Sequence, residues 1–151
     1  MKIFEKIKKV LDERSLKYSV KHHEPVYTSE QAAKIRGQSL KQGAKAIILK
    51  TEENFVLAVL SAEKKIDSKK LKEILGSKKI SFSDVEKLKT YGLQPGSVPP
   101  FGSILGLKTY VDRSLLENNE ISFNAGSLTD SITLRLKDYL IVENPIICDF
   151  S

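Results

Sequence analysis

The chain has 151 residues, and its 40% hydrophobic content is spread along the whole length, which suits a single domain (residues 1–151) and excludes a disordered polymer. No apolar run approaches the roughly 20 residues that cross a bilayer, and the lone Cys148 excludes an internal disulfide framework and a cysteine-based zinc site. The 25 Lys and Arg against 19 acids give a net charge of +6, which can draw a compact domain to a polyanion or simply reflect a lysine-rich solvated surface.

Ile3, Phe4, Ile7, Val10 and Leu11 recur at helical spacing, so residues 1–16 are expected to form an amphipathic helix. Charges interrupt this stretch at every turn, which is unlike a signal peptide. A cytoplasmic location is the expectation. Tyr18 to His22 reads as a short strand that Pro25 ends. Thr28 and Gln31 have capping-box spacing for a helix that runs to Arg36, with Gly37 as its stop. Ser39 and Gln42 repeat the spacing for a further short helix.

Lys45–Thr51 and Phe55–Ser61 are aliphatic runs joined by a polar link, the pattern of a hairpin. Asp67 is placed to cap a helix through Leu71, Ile74 and Leu75, closed by Gly76. Lys79 to Phe82 reads as a strand. Ser83 and Glu86 read as a third capping box, for a helix ending near Lys89. Strands are then expected at Lys108–Asp112, Ile121–Asn124, Ser131–Leu136 and Tyr139–Val142, with Gly126 to Asp130 as a turn. The fold class that follows is α+β, with helices flanking a mixed, partly barrel-like sheet.

Residues 90–106 (TYGLQPGSVPPFGSILG) hold four glycines and three prolines, which exclude a regular helix or a central strand there. Glycines admit close approach of a ligand, and successive N–H groups in such a loop can hold an anion or polarise a carbonyl. A rigid corner of the sheet explains the same composition equally well. Lys45 opens an otherwise apolar strand after Gly43 and Ala44; it can meet a phosphate or snorkel to water. His22 and His23 lack metal-site spacing. No serine sits in a nucleophile-elbow pattern, and Asp112, Asp130 and Asp138 show no spacing that pairs them. From the residues alone, the chain is a small basic domain with one ligand-like loop and no conventional catalytic set.

Three blocks carry a resemblance. They are His23-Glu24-Pro25-Val26 with Thr28 to Ala33; Gly43-Ala44-Lys45 with the strand that follows; and Gly92 through Gly96-Ser97-Val98-Pro99-Pro100-Phe101-Gly102. Together they resemble the YbaK/prolyl-tRNA-synthetase-associated editing domains, and Asp112 and Asn124 to Gly126 fit weaker positions. The resemblance implies an α+β domain that hydrolyses the ester of mischarged tRNA, foremost tRNA for proline carrying Ala, Cys, Ser or Thr. It would act in trans as a free-standing monomer or weak dimer. It would need no metal or cofactor, and an aminoacyl-tRNA synthetase would be a further partner.

The resemblance also implies site roles. Lys45 would hold the terminal adenosine through its phosphate. Gly92 and Gly96 would offer backbone groups to the ester and the attacking water, which a ribose hydroxyl helps to activate. His23, Thr28, Ser97, Val98, Pro99, Pro100, Phe101, Gly102, Asn124, Gly126 and Ser131 would bind substrate. Ala46, Asn124 and Ser131 depart from residues common among relatives and are expected near the amino-acid pocket. Few aromatics are interleaved with basic residues, so base stacking beyond the terminal adenosine is not expected. The competing readings are a non-catalytic tRNA- or synthetase-binding module and a small-molecule or nucleotide-binding domain.

Overall fold

The computed structural model describes all residues, 1–151. The first helix, α1 (Ile3–Glu13), buries Ile3, Ile7 and Leu11 at the spacing the sequence shows. Strand β1 (Tyr18–His22) follows, and then α2 (Ser29–Arg36). Thr28 accepts from Gln31 N, and the Gln31 side chain accepts from Tyr27 N, so the reciprocal bond falls one residue outside an ideal capping box. Gly37 closes α2 with φ 69°. Ser39 makes no side-chain cap, and Leu40–Gln42 is a single 3-10 turn.

The hairpin comprises β2 (Ala44–Lys50) and β3 (Phe55–Ser61). Asp67 caps α3 (Ser68–Leu75) by accepting from Lys69 N and Lys70 N. The expected strand over 79–82 is reduced to β4 (Ser81–Phe82). Helix α4 (Val85–Thr90) is capped by Asp84, one residue later than expected. Ser83 N still donates to Ile48 O, so the chain has not left the sheet at Ser83 and the next polar side chain takes the cap.

After α4 come α5 (Gly102–Leu105), β5 (Lys108–Asp112), a 3-10 turn at Arg113–Glu117, β6 (Glu120–Asn124) and β7 (Asp130–Arg135). The segment expected as a strand at 139–142 lies inside a helix, α6 (Leu136–Glu143). A run of four apolar residues fits either structure; here Asn144 closes the helix at φ 46°, and Pro145 follows. A last strand, β8 (Ile146–Cys148), was not foreseen.

The strands make two sheets rather than one closed barrel. The smaller has the order β1-β7-β6, wholly antiparallel; the larger has β4-β2-β3-β5-β8. In the larger sheet β5 runs parallel to both β3 and β8. A single parallel bridge, Gly43 to Ser122, joins the two sheets beside β2. Alternation in β2 sends Ala44, Ala46 and Ile48 toward the main core and Ile47 and Leu49 toward a second cluster under α3. Phe101, Phe123 and Tyr139 centre the main core, with Phe101 edge-to-face on both partners at 5.4 and 5.3 Å between ring centroids. No helix is long and apolar enough to cross a membrane.

The three aspartates examined as possible catalysts have separate structural partners. Asp138 accepts from Arg135 Nε at 2.9 Å, and Asp130 bonds His22 and Ser127. Asp112, only 1% exposed, accepts from Phe150 N at 2.7 Å, Ser151 N at 3.1 Å and Ser114 N at 3.1 Å. Burial acts to raise the Asp112 carboxyl, but these donors outweigh it and hold the group below the usual carboxylate range. A depressed folded pKa gives stability that is present above the unfolded value and lost as pH falls through the folded one. Asp112→Asn is therefore expected to lower urea stability by about 1–3 kcal/mol at neutral pH, with the gap to wild type closing as the pH falls below the usual carboxylate range. Urea titrations of both proteins across that range check this.

Candidate active site

Helix α2, the start of the β2–β3 hairpin and the turn near Gly96 enclose a cavity of about 240 Å³. Its polar wall includes Thr28, Arg36, Lys45 and Asn124; Gly96 and Val98 line it as well. Ala44, Ala46 and Ala62 keep the hairpin side shallow. Thr28 accepts a hydrogen bond as the α2 cap, so its own proton remains free for a ligand.

Lys45 lies in β2 opposite Leu60 and is half-buried at the cavity rim. Its Nζ donates to Lys64 O at 2.6 Å and forms no ion pair, although Glu30 is near enough to favour its charge. Burial is the largest influence on this ammonium and pulls it below the ordinary lysine value. A cation in that state, held only by a carbonyl, gains from an arriving anion.

The glycine- and proline-rich segment owes its shape to local chemistry. Gln94-Pro95-Gly96-Ser97 forms a turn in which Ser97 N donates to Gln94 O at 3.0 Å and Gly96 takes φ 86°. Proline at the second position and a positive-φ glycine at the third are what a type II turn demands. Ser97 Oγ donates to Gln94 O and accepts from Gln94 N, which locks the turn. Gly96 N–H and Val98 N–H donate to no other group of the chain, and both residues line the cavity. Unpaired backbone donors at a cavity wall are suited to an incoming oxygen.

A line of side chains fixes this wall. Arg36 Nε donates to Ser131 Oγ at 2.9 Å, and its Nη2 donates to Asn124 Oδ1 at 2.8 Å. Asn124 Nδ2 donates to Gly96 O at 2.7 Å, so the turn is tied to Arg36 through one amide. Ser131 Oγ also lies 2.7 Å from His23 Nε2, while His23 Nδ1 lies 2.8 Å from Glu24 O. The pattern that satisfies every group has Nδ1 donating to Glu24 O, and Ser131 donating to Nε2 while accepting from Arg36. Removal from water pulls the Arg36 guanidinium down to about 10, so it stays charged at neutral pH.

The structure thus gathers Lys45, Thr28, Gly96, Val98 and Asn124 around one cavity and sets His23 and Ser131 behind its wall. Gly92 lies outside it, closing α4 at φ 75° with its N–H on Lys89 O. Pro99 and Pro100 are buried, and Pro100 O accepts from Tyr139 Oη at 2.6 Å. Phe101 is core. At Gly102 a Cβ would meet Thr109 Oγ1 at 2.2 Å and Leu107 O at 2.5 Å, so this glycine is required for packing. Gly126 N donates to Ser97 O, and a Cβ there would meet Ile3 at 2.8 Å. Arg36 is the site residue that sequence reasoning missed. As the last residue of a helix among many basic residues it carries no local signal.

The profile of the aminoacyl-tRNA editing domain matches residues 23–141, and the chain belongs to that family. It is 35% identical to the Escherichia coli multifunctional Ser/Thr-tRNA deacylase ProXp-y, over 93% of this chain and 88% of the relative. It is 28% identical to the prolyl-tRNA editing protein ProX of Acetoanaerobium sticklandii, over 85% of this chain and 82% of that one. A crystal structure described as a candidate trans-editing enzyme for prolyl tRNA synthetase shares the fold with a TM-score of 0.85, at 22% identity, over 98% of this chain and 96% of its own.

If Arg36 holds the wall as these distances indicate, Arg36→Gln leaves Ser131 and Asn124 short of a donor. The expected cost is about 1–3 kcal/mol of urea stability, with a further loss of activity at an unchanged fold by circular dichroism.

Proposed function

We propose that this chain is a free-standing, trans-acting deacylase of the cytoplasm that hydrolyses the ester between a small amino acid and the 3′ end of tRNA. The observation that carries the reading is that Gly96 and Val98, whose N–H groups donate to nothing else in the chain, line the same cavity as the half-buried Lys45. Lys45 takes the terminal phosphate, which brings the ester to the turn. Water attacks the ester carbonyl carbon, and the oxyanion that forms is met by the two N–H groups. The bond from that carbon to the ribose oxygen then breaks. The ribose oxygen takes one proton of the attacking water, the other passes to solvent, and the amino acid leaves as its carboxylate. The neighbouring ribose hydroxyl orients the water, so the protein needs no side-chain nucleophile, metal or cofactor.

The pocket supports a serine or threonine ester as the foremost substrate. Thr28, Ser29, Arg36 and Asn124 offer hydrogen bonds, while Ala44, Ala46 and Ala62 leave room for a short side chain. A site that hydrogen-bonds a hydroxyl discriminates against the analogue lacking it far more strongly than a site that only measures one methylene. The name of the Escherichia coli relative points the same way. Alanine and cysteine esters on tRNA for proline are the next substrates to test.

Wild type and Lys45→Ala are compared on tRNA charged with serine, threonine, alanine, cysteine or proline. Wild type is expected to release serine or threonine, with kcat/KM falling about 10- to 100-fold in Lys45→Ala, as loss of a hydrogen bond between charged groups predicts. Folded wild type that binds tRNA but releases nothing would replace the hydrolase by a binding module.

A further inference from the structure

Strand β2 has a second face. Lys45, Ile47 and Leu49 follow one another along it and, with Lys65, Ile66, Ile80 and Phe82, line an open groove of about 480 Å³. The groove and the candidate catalytic cavity share Lys45 and Ile47, so they adjoin along this part of β2. Phe82, on the edge strand β4, is 69% exposed, although its register partner Leu49 is 1% exposed. Neither Lys45 nor Lys65 forms an ion pair, even though five other Lys or Arg side chains do.

An apolar trough with an uncovered aromatic ring and two unpaired cations has the chemistry of a single-stranded nucleic acid subsite. The ring offers a face to a base, and the cations offer charge to the phosphates on either side. A peptide partner would be served by the apolar residues but not by two ammonium groups that lack a carboxylate partner. In the linear sequence Phe82 stands far from Lys45 and Lys65; pairing of β4 with β2 brings them to one trough.

We propose that this groove holds an unpaired base of the tRNA 3′ end, namely the base of the nucleotide preceding the terminal one, stacked on Phe82. The proposal rests on the deacylase reading, in which the terminal phosphate lies at Lys45 and the terminal ribose and amino acid lie on the cavity side. The chain on the other side of that phosphate then enters the groove, with Lys65 beside its next phosphate. The subsite gives the enzyme a grip on the substrate that is independent of the amino acid.

The test uses an uncharged RNA hairpin ending in an unpaired 3′ CCA strand, with the fluorescent base 2-aminopurine at the penultimate position. Stacking on wild-type protein is expected to change the fluorescence. Phe82→Ala is expected to abolish that change and weaken binding about tenfold, Phe82→Tyr to restore both, and Lys65→Ala to weaken binding and lower its salt dependence. Equal affinity and equal signal in Phe82→Ala would overturn the proposal. So would a Phe82-dependent signal only when the probe is at the terminal position, or no binding of the RNA by wild type at low salt. Phe82 is mostly in water, so the variant keeps its fold, which circular dichroism checks. A groove signal without deacylation of any charged tRNA would sink the hydrolase and leave the groove. Deacylation without a Phe82-dependent signal would do the reverse.

Discussion

Arg36 donates from two nitrogens to Asn124 and Ser131, and these two residues are direct register partners on β6 and β7. One guanidinium therefore clamps a cross-strand pair from outside the sheet. The planar fork suits this task, because its donors point in fixed directions and lose little freedom on binding. The Gly96 and His23 sides of the cavity wall are tied to that clamp. With Asn124 oriented by Arg36, its amide reaches Gly96 O and anchors the already formed turn to β6. With Ser131 oriented, His23 is held at the end of β1. A lysine at position 36 could supply the charge but not both directed contacts.

The turn also has a footing on its other side. Glu143 accepts from Ser103 N, Ser103 Oγ and Thr109 Oγ1, and Tyr139 reaches Pro100 O from one helical turn earlier. Desolvation, with Glu143 nearby, pushes the Tyr139 phenol well above its ordinary value, so it remains a donor. The segment from Gln94 to Ser103 is thus fastened by Arg36 on one flank and by α6 on the other. A site that works through backbone N–H groups depends on such fastening, because an undirected peptide dipole does little for a developing charge. The separation of roles within the glycine- and proline-rich segment follows: Gly96 and Val98 line the cavity, whereas Phe101 and Gly102 hold the loop in the core.

Where sequence and structure agree, the signal was local. The caps at Thr28 and Asp67, the stops at Gly37 and Gly76 and the aliphatic hairpin all depend on residues within a few positions of one another. The Gln94-Pro95-Gly96-Ser97 turn is equally local in origin, although residues 90–106 were expected only as an irregular loop. Helix α6 was misread because Tyr139–Val142 is a run of four apolar residues, too short to show a helical or a strand period, and Ile141 within it is apolar although exposed. Strand β8 has three residues and is recognised only once β5 is in place beside it. Arg36 and the Phe82 groove were invisible for a different reason. Each depends on partners far away in the chain, and neither has any pattern before the sheets assemble.

The larger sheet ends in strands of two and three residues, β4 and β8. Short borders offer a neighbouring molecule few free ladder positions, which limits edge-to-edge self-association. This brevity lets the molecule carry an uncovered phenylalanine on a border strand, the position where an apolar side chain would otherwise invite polymerisation. Lengthening β4 by even a few alternating residues would leave the chemistry untouched and turn a tolerable border into an adhesive one, so the shortness of that strand is a solubility trait as much as an architectural one.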